Sequence, residues 1–345
     1  MGLCKTMGGH GKRAVVVLLT MLMLLPVFSG CAKAQTDAAD SAVTDRATAG
    51  DELSLATIIT SSDYQSSGTF MTFRILLDVI KEAGVPTPDC ALFGGDYSIT
   101  TETDPDDCIR RLCEKLAGVY PEFDPSNAVF VQGNHDNLSG ALTPTGAHDF
   151  GAFVVYSINE DDFPSGQKAA QVEQTLKELD DFLSGMVRRK DFRPVIVATH
   201  LPLHDSARAD NAFGGALAEV LNLYGHTLDI IYLFGHNHSG TYDDSIGGSV
   251  NYIANGESLY VPVPAQGDSG RVADRRKITI SFTCMNYGYV GYSNNTAGGI
   301  STNALTLGVI QIYPESIEIT RYTAEGEYCR YSIPLQNKQT AKKAA

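Results

Sequence analysis

Apolar residues along this chain fall into short continuous runs, separated by stretches in which they recur every three or four positions. Leu55 to Thr60 is a run of the first kind, the pattern of a strand buried on both faces. Phe70, Phe73, Leu76, Leu77 and Ile80 then follow at helical spacing until Gly84 and Pro86 stop them. Ala91 to Phe93 predicts the next strand. A second helix is expected after it, with Asp104 as N-cap, Pro105 at the first helical position and Gly118 past its end. Ala128 to Val131 and Phe153 to Ile158 predict two more strands, and Val172, Leu176, Leu179 and Leu183 mark a long amphipathic helix. A strand over Val195 to Thr199, a helix near Ala216 to Leu223 and a strand over Leu228 to Phe234 continue the alternation. Beyond residue 245 the helical signal ends. Lys277 to Thr283, Leu305 to Tyr313 and Ser316 to Tyr322 read as strands, the last two joined as a hairpin through Pro314 and Glu315. The chain is therefore α/β first and mostly β at its end.

The amino-terminal residues follow none of these patterns. Lys12 and Arg13 precede an apolar run, Ala14 to Phe28, too short and too broken at Pro26 for a comfortable spanning helix, so 1–30 reads as a signal peptide. Phe28-Ser29-Gly30-Cys31 resembles a bacterial lipobox, which implies cleavage before Cys31 and a diacylglyceryl group on its sulfur. That places the domain outside the cytoplasmic membrane and anchored to it, as an extracytoplasmic lipoprotein. Residues 31–52 are polar and without periodicity, the composition of a flexible tether. One domain over 53–335 and a polar tail over 336–345 account for the rest.

Charge and cysteine content narrow the chemistry. The formal net charge is −14, and residues 1–30 hold Lys5, Lys12 and Arg13 with no acid, so the remainder is more acidic still. Binding to a nucleic-acid duplex is not expected of such a surface. A small anionic substrate stays open, because bound cations invert the local field. Apart from Cys4 and Cys31 the cysteines are Cys90, Cys108, Cys113, Cys284 and Cys329; an odd set cannot all pair within one chain, and buried free thiols are the expectation.

The chemistry-bearing residues stand at the ends of the predicted strands. Gly133-Asn134-His135-Asp136 packs an amide oxygen, an imidazole and a carboxylate into three consecutive positions after Ala128 to Val131. Asp63 and Gln65, Asp96, His200, and the pair His236 and His238 each follow an apolar run of their own. Donors at the carboxyl ends of adjacent strands converge on one crevice. Mixed carboxylate, amide and imidazole donors suit Mn, Fe or Zn better than Ca. Two such metals can clamp both oxygens of a displacement at phosphorus, and one carboxylate must then bridge them.

The joint order of Asp63-Tyr64-Gln65, Gly95-Asp96, Gly133-Asn134-His135-Asp136, His200 and Gly235-His236-Asn237-His238 resembles the calcineurin-like metallophosphoesterase superfamily. The resemblance implies a four-layer α-β-β-α sandwich, two mixed sheets flanked by helices, and hydrolysis of a phosphomonoester or phosphodiester. It implies two divalent transition metals: Asp96 as the bridge, Asp63, Gln65 and His238 on the first, Asn134, His200 and His236 on the second. A metal-bridging hydroxide would be the nucleophile. His135 would contact the phosphoryl group or act as general acid, with Asp136 orienting its ring. Gln65 departs from the commoner pattern, in which His stands there, and this weaker donor favours Mn over Zn at the first position.

Several branches of the superfamily fit poorly. Gly95-Asp96-Tyr97-Ser98-Ile99 lacks the Asp-Arg-Gly continuation of the phosphoprotein phosphatases, and Ile99 stands where purple acid phosphatases place a Tyr. Asn137 and His204 are candidate substrate contacts. Tyr287, Gly288, Tyr289, Gly291 and Tyr292 form a segment that reads as a turn between core strands or as a pocket wall. The alternative to an enzyme is a surface binding lipoprotein that kept the scaffold and lost turnover, a reading that Gln65 leaves open.

Overall fold

The apolar runs become two facing six-stranded sheets. The structure, a computed structural model, describes residues 53–66, 68–97, 105–137, 139–162, 169–204, 211–238, 251–265, 272–291 and 305–337. The readings made for 1–30, the tether, Cys31, Ile99, Asp104 and Tyr292 lie outside the described residues, as does the tail beyond Asn337. The first sheet holds β1 (Ala56–Ser61), β2 (Cys90–Phe93) and β3 (Ala128–Phe130) in parallel. On the other side of β1 it is completed by the antiparallel meander β12 (Leu307–Ile312), β13 (Ser316–Thr323) and β14 (Gly326–Pro334). In the second sheet β5 (Val154–Ser157), β6 (Val195–Ala198), β7 (Ile230–Phe234) and β11 (Thr283–Asn286) run parallel. Antiparallel edges, β4 (Gly146–Asp149) and β8 (Tyr252–Ile253), close it on either side.

Three apolar cores stack through the molecule and set its layers. Between the sheets, Ile58, Leu92, Val129 and Ile310 from the first meet Val155, Ile196, Leu233 and Met285 from the second. Helices α1 (Thr69–Glu82) and α2 (Pro105–Ala117) cover the outer face of the first sheet; Phe73, Leu77, Ile80 and Leu112 pack there on Ile59, Phe93 and Phe130. Helices α3 (Ala169–Arg189) and α4 (Gly214–Tyr224) cover the second, with Leu179, Leu183 and Leu217 on Tyr156, Val197 and Tyr232. Strands buried on both faces are why their sequences read as continuous apolar runs. The architecture is the expected four-layer sandwich.

Some elements differ from expectation. The strand expected over Lys277 to Thr283 is two strands: β10 (Val272–Thr279) pairs with β9 (Ser258–Pro264) as a separate ribbon, and β11 joins the second sheet after the buried Ile280 and Phe282. Gln336 and Asn337, first residues of the expected tail, bond back to the body: Gln336 N–H donates to Asp229 and Asn337 Nδ2 to Thr227 O. Cys90, Cys108, Cys113, Cys284 and Cys329 are all free thiols.

Candidate metal centre

Each candidate donor of the centre lies just past the carboxyl end of a strand. β1 leads into Asp63 and Gln65, β2 into Asp96 and β3 into Asn134 to Asp136, all from the first sheet; β6 leads into His200, and β7 into His236 and His238, from the second. The crevice therefore spans the two facing sheets where their parallel strands end. The turns are tight enough that Asp63, Asp96, His236 and His238 take φ of 61°, 60°, 66° and 49°, a region that non-glycine residues seldom visit. Glycines allow the loops to approach this closely. Gly95 has φ 91°, and a Cβ on Gly133 would stand 2.3 Å from the Asp96 nitrogen.

The Asp96 loop is held by Asp136. Its Oδ2 accepts from Asp96 N–H (2.7 Å) and Gly133 N–H (2.8 Å), and its Oδ1 from Tyr97 N–H (2.7 Å). The bonds described for Asp136 all run to backbone amides of this loop, a part beyond the expected one of orienting the His135 ring. His135 is exposed, and its own N–H donates to Asp96 Oδ1 at 3.1 Å. Below the loop, Tyr97 stacks on Tyr64 with ring centroids 5.5 Å apart, and its hydroxyl donates to Phe93 O.

The donor atoms gather into two clusters. Ligand atoms of Asp96, His200 and His236 lie within 4.8 Å of one another, as do those of Asp63, Asp96 and His238. Asn134 Oδ1 sits 3.1 Å from His200 Nε2 and 2.8 Å from His236 Nδ1, and the two ring nitrogens are 3.3 Å apart. His238 Nε2 is 3.3 Å from Asp63 Oδ1. His200 Nδ1 donates to Gly94 O at 2.6 Å, which turns Nε2 into the cluster, the usual backbone support for a metal-ligating imidazole. Gln65 reaches the edge of the shared carboxylate. Its Nε2 donates to Asp96 Oδ2 at 2.8 Å, so it presents an N–H to the centre and steadies the shared carboxylate.

These residues fit divalent cations. Two imidazole nitrogens and an amide oxygen pointed at one another call for positive charge between them. In the metal-free protein a proton supplies part of it: burial pulls His200 down, but the Asp96 carboxylate beside it, with Asp63, holds it up to about 10. Burial, and then the charge on His200, pushes His236 down to about 4. Burial also works against ionised Asp63, yet His238, His200 and the Ser62 hydroxyl hold its carboxyl well below the usual carboxylate range. Asp96 is likewise lowered against burial, chiefly by His200. His236 Nε2 is buried with no hydrogen-bond partner among the described residues. Oxygen and imidazole donors with no thiolate among them match Mn, Fe or Zn.

The other candidates fall outside the two clusters. Asn137 is exposed on the loop after Asp136. His204 is 2% exposed and lies edge-on to Phe234 with ring centroids 5.2 Å apart. Two supporting residues escaped sequence reasoning, and a third, Tyr289, reads in sequence only as part of a turn or pocket wall. Ser62 donates its hydroxyl to Asp63 Oδ2 at 2.5 Å, and Gln132 Nε2 donates to both Asp136 O and Asp161 Oδ2. Tyr289 stacks on the His238 ring. For Gln132 a signal existed, a polar side chain directly after an apolar run; for Tyr289 there was none beyond its aromatic neighbourhood.

Facing sheets with carboxylate, amide and imidazole donors gathered at their carboxyl ends define a protein built around a centre for divalent cations. The chain belongs to the calcineurin-like phosphoesterase family, whose model matches residues 57–240, more than half of its 345 residues. No curated protein matches the chain in sequence. Among solved structures it is similar to a dimetal phosphatase from Danio rerio, at 12% identity over 82% of this chain and 100% of that one, with a TM-score of 0.48. It is also similar to a predicted phosphoesterase from Streptococcus pneumoniae (12% identity, 81% and 97% covered, TM-score 0.35). A third similar structure is GAP50, the anchor in the inner membrane complex of Plasmodium (13% identity, 84% and 91% covered, TM-score 0.45).

Proposed function

We propose that this protein hydrolyses phosphomonoesters or phosphodiesters using two divalent cations held between its sheets. The observation that carries this reading is that Asp96 belongs to both donor clusters, the position a shared carboxylate needs. One cation would be held by Asp63, Asp96 and His238, the other by Asp96, Asn134, His200 and His236. When bound, the pair supplies positive charge to the phosphoryl oxygens and activates water for attack on phosphorus. Gln65 holds the shared carboxylate through its N–H. The first position is then left with two carboxylates and a single imidazole, an oxygen-rich set that suits Mn better than Zn. His135 belongs to neither cluster and is exposed beside Asp96, so its part is to contact the phosphoryl group or to protonate the leaving oxygen.

Purified protein loaded with Mn should hold two ions per chain and hydrolyse p-nitrophenyl phosphate or bis-p-nitrophenyl phosphate. Asn134→Ala should lose metal, whereas His135→Ala should keep both ions and lose about 10²- to 10⁴-fold in rate. A wild-type chain that binds metal without turnover on either ester, or on a panel of nucleotides and phospholipids, would favour the surface binding alternative.

For location, the proposal is an extracytoplasmic lipoprotein anchored through Cys31, supported by the lipobox-like Phe28-Ser29-Gly30-Cys31. Among the described residues no helix is long and apolar enough to cross a membrane. Membrane association unchanged in Cys31→Ala would reject the lipid.

A further inference from the structure

The segment Tyr287 to Gly291 crosses from one sheet to the other directly beneath the proposed metal centre. It leaves β11 in the second sheet, where Tyr287 N–H donates to Phe234 O. One residue later it is paired with the end of β1 in the first: Ser62 N–H donates to Gly288 O at 3.0 Å, and Ser62 and Tyr289 form a parallel bridge. Thr60 Oγ1 donates to Tyr287 O at 2.6 Å, and Thr306 N–H to Tyr289 O at 2.8 Å, so the crossing is fixed on both sides. The fit leaves no slack. A Cβ on Gly291 would stand 2.4 Å from Asp63 O and 2.9 Å from the Tyr289 ring.

This crossing carries the Tyr289 ring onto the imidazole of His238. The rings are nearly parallel, 13° between planes, with centroids 5.2 Å apart, and Tyr289 is only 3% exposed. His238 needs such support because its backbone sits at φ 49° and its Nε2 must be aimed at Asp63, 3.3 Å away. A flat aromatic face fixes the plane of the imidazole while leaving its edge nitrogens free. It also gains strength when the imidazole becomes electron-poor, as it does on binding a cation. Tyr289 lies well beyond the stretch 57–240 that the family model matches.

We propose that Tyr289 is a positioning residue for the cation position formed by Asp63, Asp96 and His238, acting through ring stacking on His238. The inference rests on the reading of these residues as ligands under the proposed function. Its range of effect is one position of the two, since the Asn134, His200 and His236 donors make no ring contact with Tyr289 among the contacts described.

The test is a stepwise Mn titration of the metal-free full-length protein by calorimetry, comparing wild type, Tyr289→Phe, Tyr289→Leu and His238→Ala. Supporting contacts of this kind are worth about 10- to 100-fold in metal affinity. Tyr289→Leu should therefore weaken one binding step by about tenfold or more, the same step that His238→Ala abolishes, and leave the other in place. Tyr289→Phe should bind both ions as wild type does. In parallel, NMR of the metal-free wild type should show the His238 ring protons shifted upfield by the tyrosine ring current, with the shift kept in Phe and lost in Leu. Equal weakening of both steps, wild-type affinity in Leu, loss in Phe, or an unshifted His238 in the wild type would each overturn the proposal. A wild type that binds no Mn would instead overturn the metal reading itself, and the positioning role with it.

Discussion

Replacing Asp136 by Asn separates two accounts of the loop between β3 and β4. If Asp136 supports the His135 ring, the variant should keep its stability and lose rate. The geometry argues otherwise, because the carboxylate accepts three backbone N–H groups, from Asp96, Gly133 and Tyr97, at 2.7 to 2.8 Å. An Asn amide has one oxygen. Turned to keep the Asp96 and Gly133 bonds, it sets its NH₂ against the Tyr97 N–H, which removes one charge-assisted bond, about 1.5–3 kcal/mol, and leaves a buried donor unpaired. The two surviving bonds also weaken to neutral ones. A net loss of about 3 kcal/mol follows, a large share of a stability of order 5–15 kcal/mol. Urea unfolding of the metal-free protein measures it: at a slope near 3 kcal/mol per M, the midpoint falls by about 1 M. Metal affinity should fall with it, since the Asp96 loop is what loosens. An Asp136→Asn protein with wild-type midpoint, wild-type metal affinity and slow turnover would refute this reasoning and return Asp136 to His135.

Three further outcomes are expected. His200 must be neutral to bind a metal, and its pKa is raised from 6.5 to about 10, so cation uptake near pH 7 should release a proton and affinity should climb with pH toward 10; calorimetry in buffers of different ionisation enthalpy would show this, and no proton release would contradict it. By the same sign, the stability this protonated imidazole contributes to the metal-free fold is present in full below pH 6.5 and is lost as pH rises through about 10. Lys190, at φ 57°, ends α3, with its N–H on Val187 O and the Asp191 N–H on Met186 O; Lys190→Gly should raise thermal stability by about 1 kcal/mol with metal binding unchanged, and a destabilised variant would contradict the geometry.

Much of this molecule is legible in the order of its residues, and what is illegible has physical causes. The helix of Phe70, Phe73, Leu77 and Ile80 and the runs that became β1, β2, β3, β6 and β7 could be read because burial on one stripe or on both faces writes a periodic or continuous pattern. β4 and most of β10 could not. Gly146–Asp149 alternates half-buried and exposed polar positions, and Val272–Thr279 runs through Asp274, Arg275 and Arg276; both are strands because of pairing with a neighbour, not because of burial. The candidate centre divides in the same way. Asp63, Asp96, Asn134, His200, His236 and His238 stand out because they carry donor atoms after apolar runs. The work of Asp136 was hidden, because its partners are backbone amides that no side-chain identity reveals. Gln65 was visible as a polar residue, but which end of its amide faces Asp96 depends on the fold. Tyr289 is more than 200 positions from Asp63 in sequence and reaches the centre only because β11 runs out of one sheet and into the edge of the other.

The strained backbone connects these supports to the chemistry. Five described non-glycine residues take positive φ, and four of them, Asp63, Asp96, His236 and His238, carry candidate ligands. Glycine would relieve each turn by about 1 kcal/mol or more, but glycine has no donor atom, so at these positions local preference and chemistry conflict. Such strain persists only where neighbours over-determine it. Here the strained residues restrain one another: Asp63 N–H donates to Gly95 O, Tyr64 N–H to Asp96 O, and His236 N–H to the Asp63 carboxylate. Asp136 then ties Asp96 to Gly133, and Ser62 ties Asp63 to the crossing segment that bears Tyr289. The donors are therefore held in place before any cation arrives, and the cost of ordering them is met by folding and not by binding. Lys190, the fifth residue, shows the contrast: its turn serves only to end a helix, nothing there needs a side chain, and glycine is the better choice.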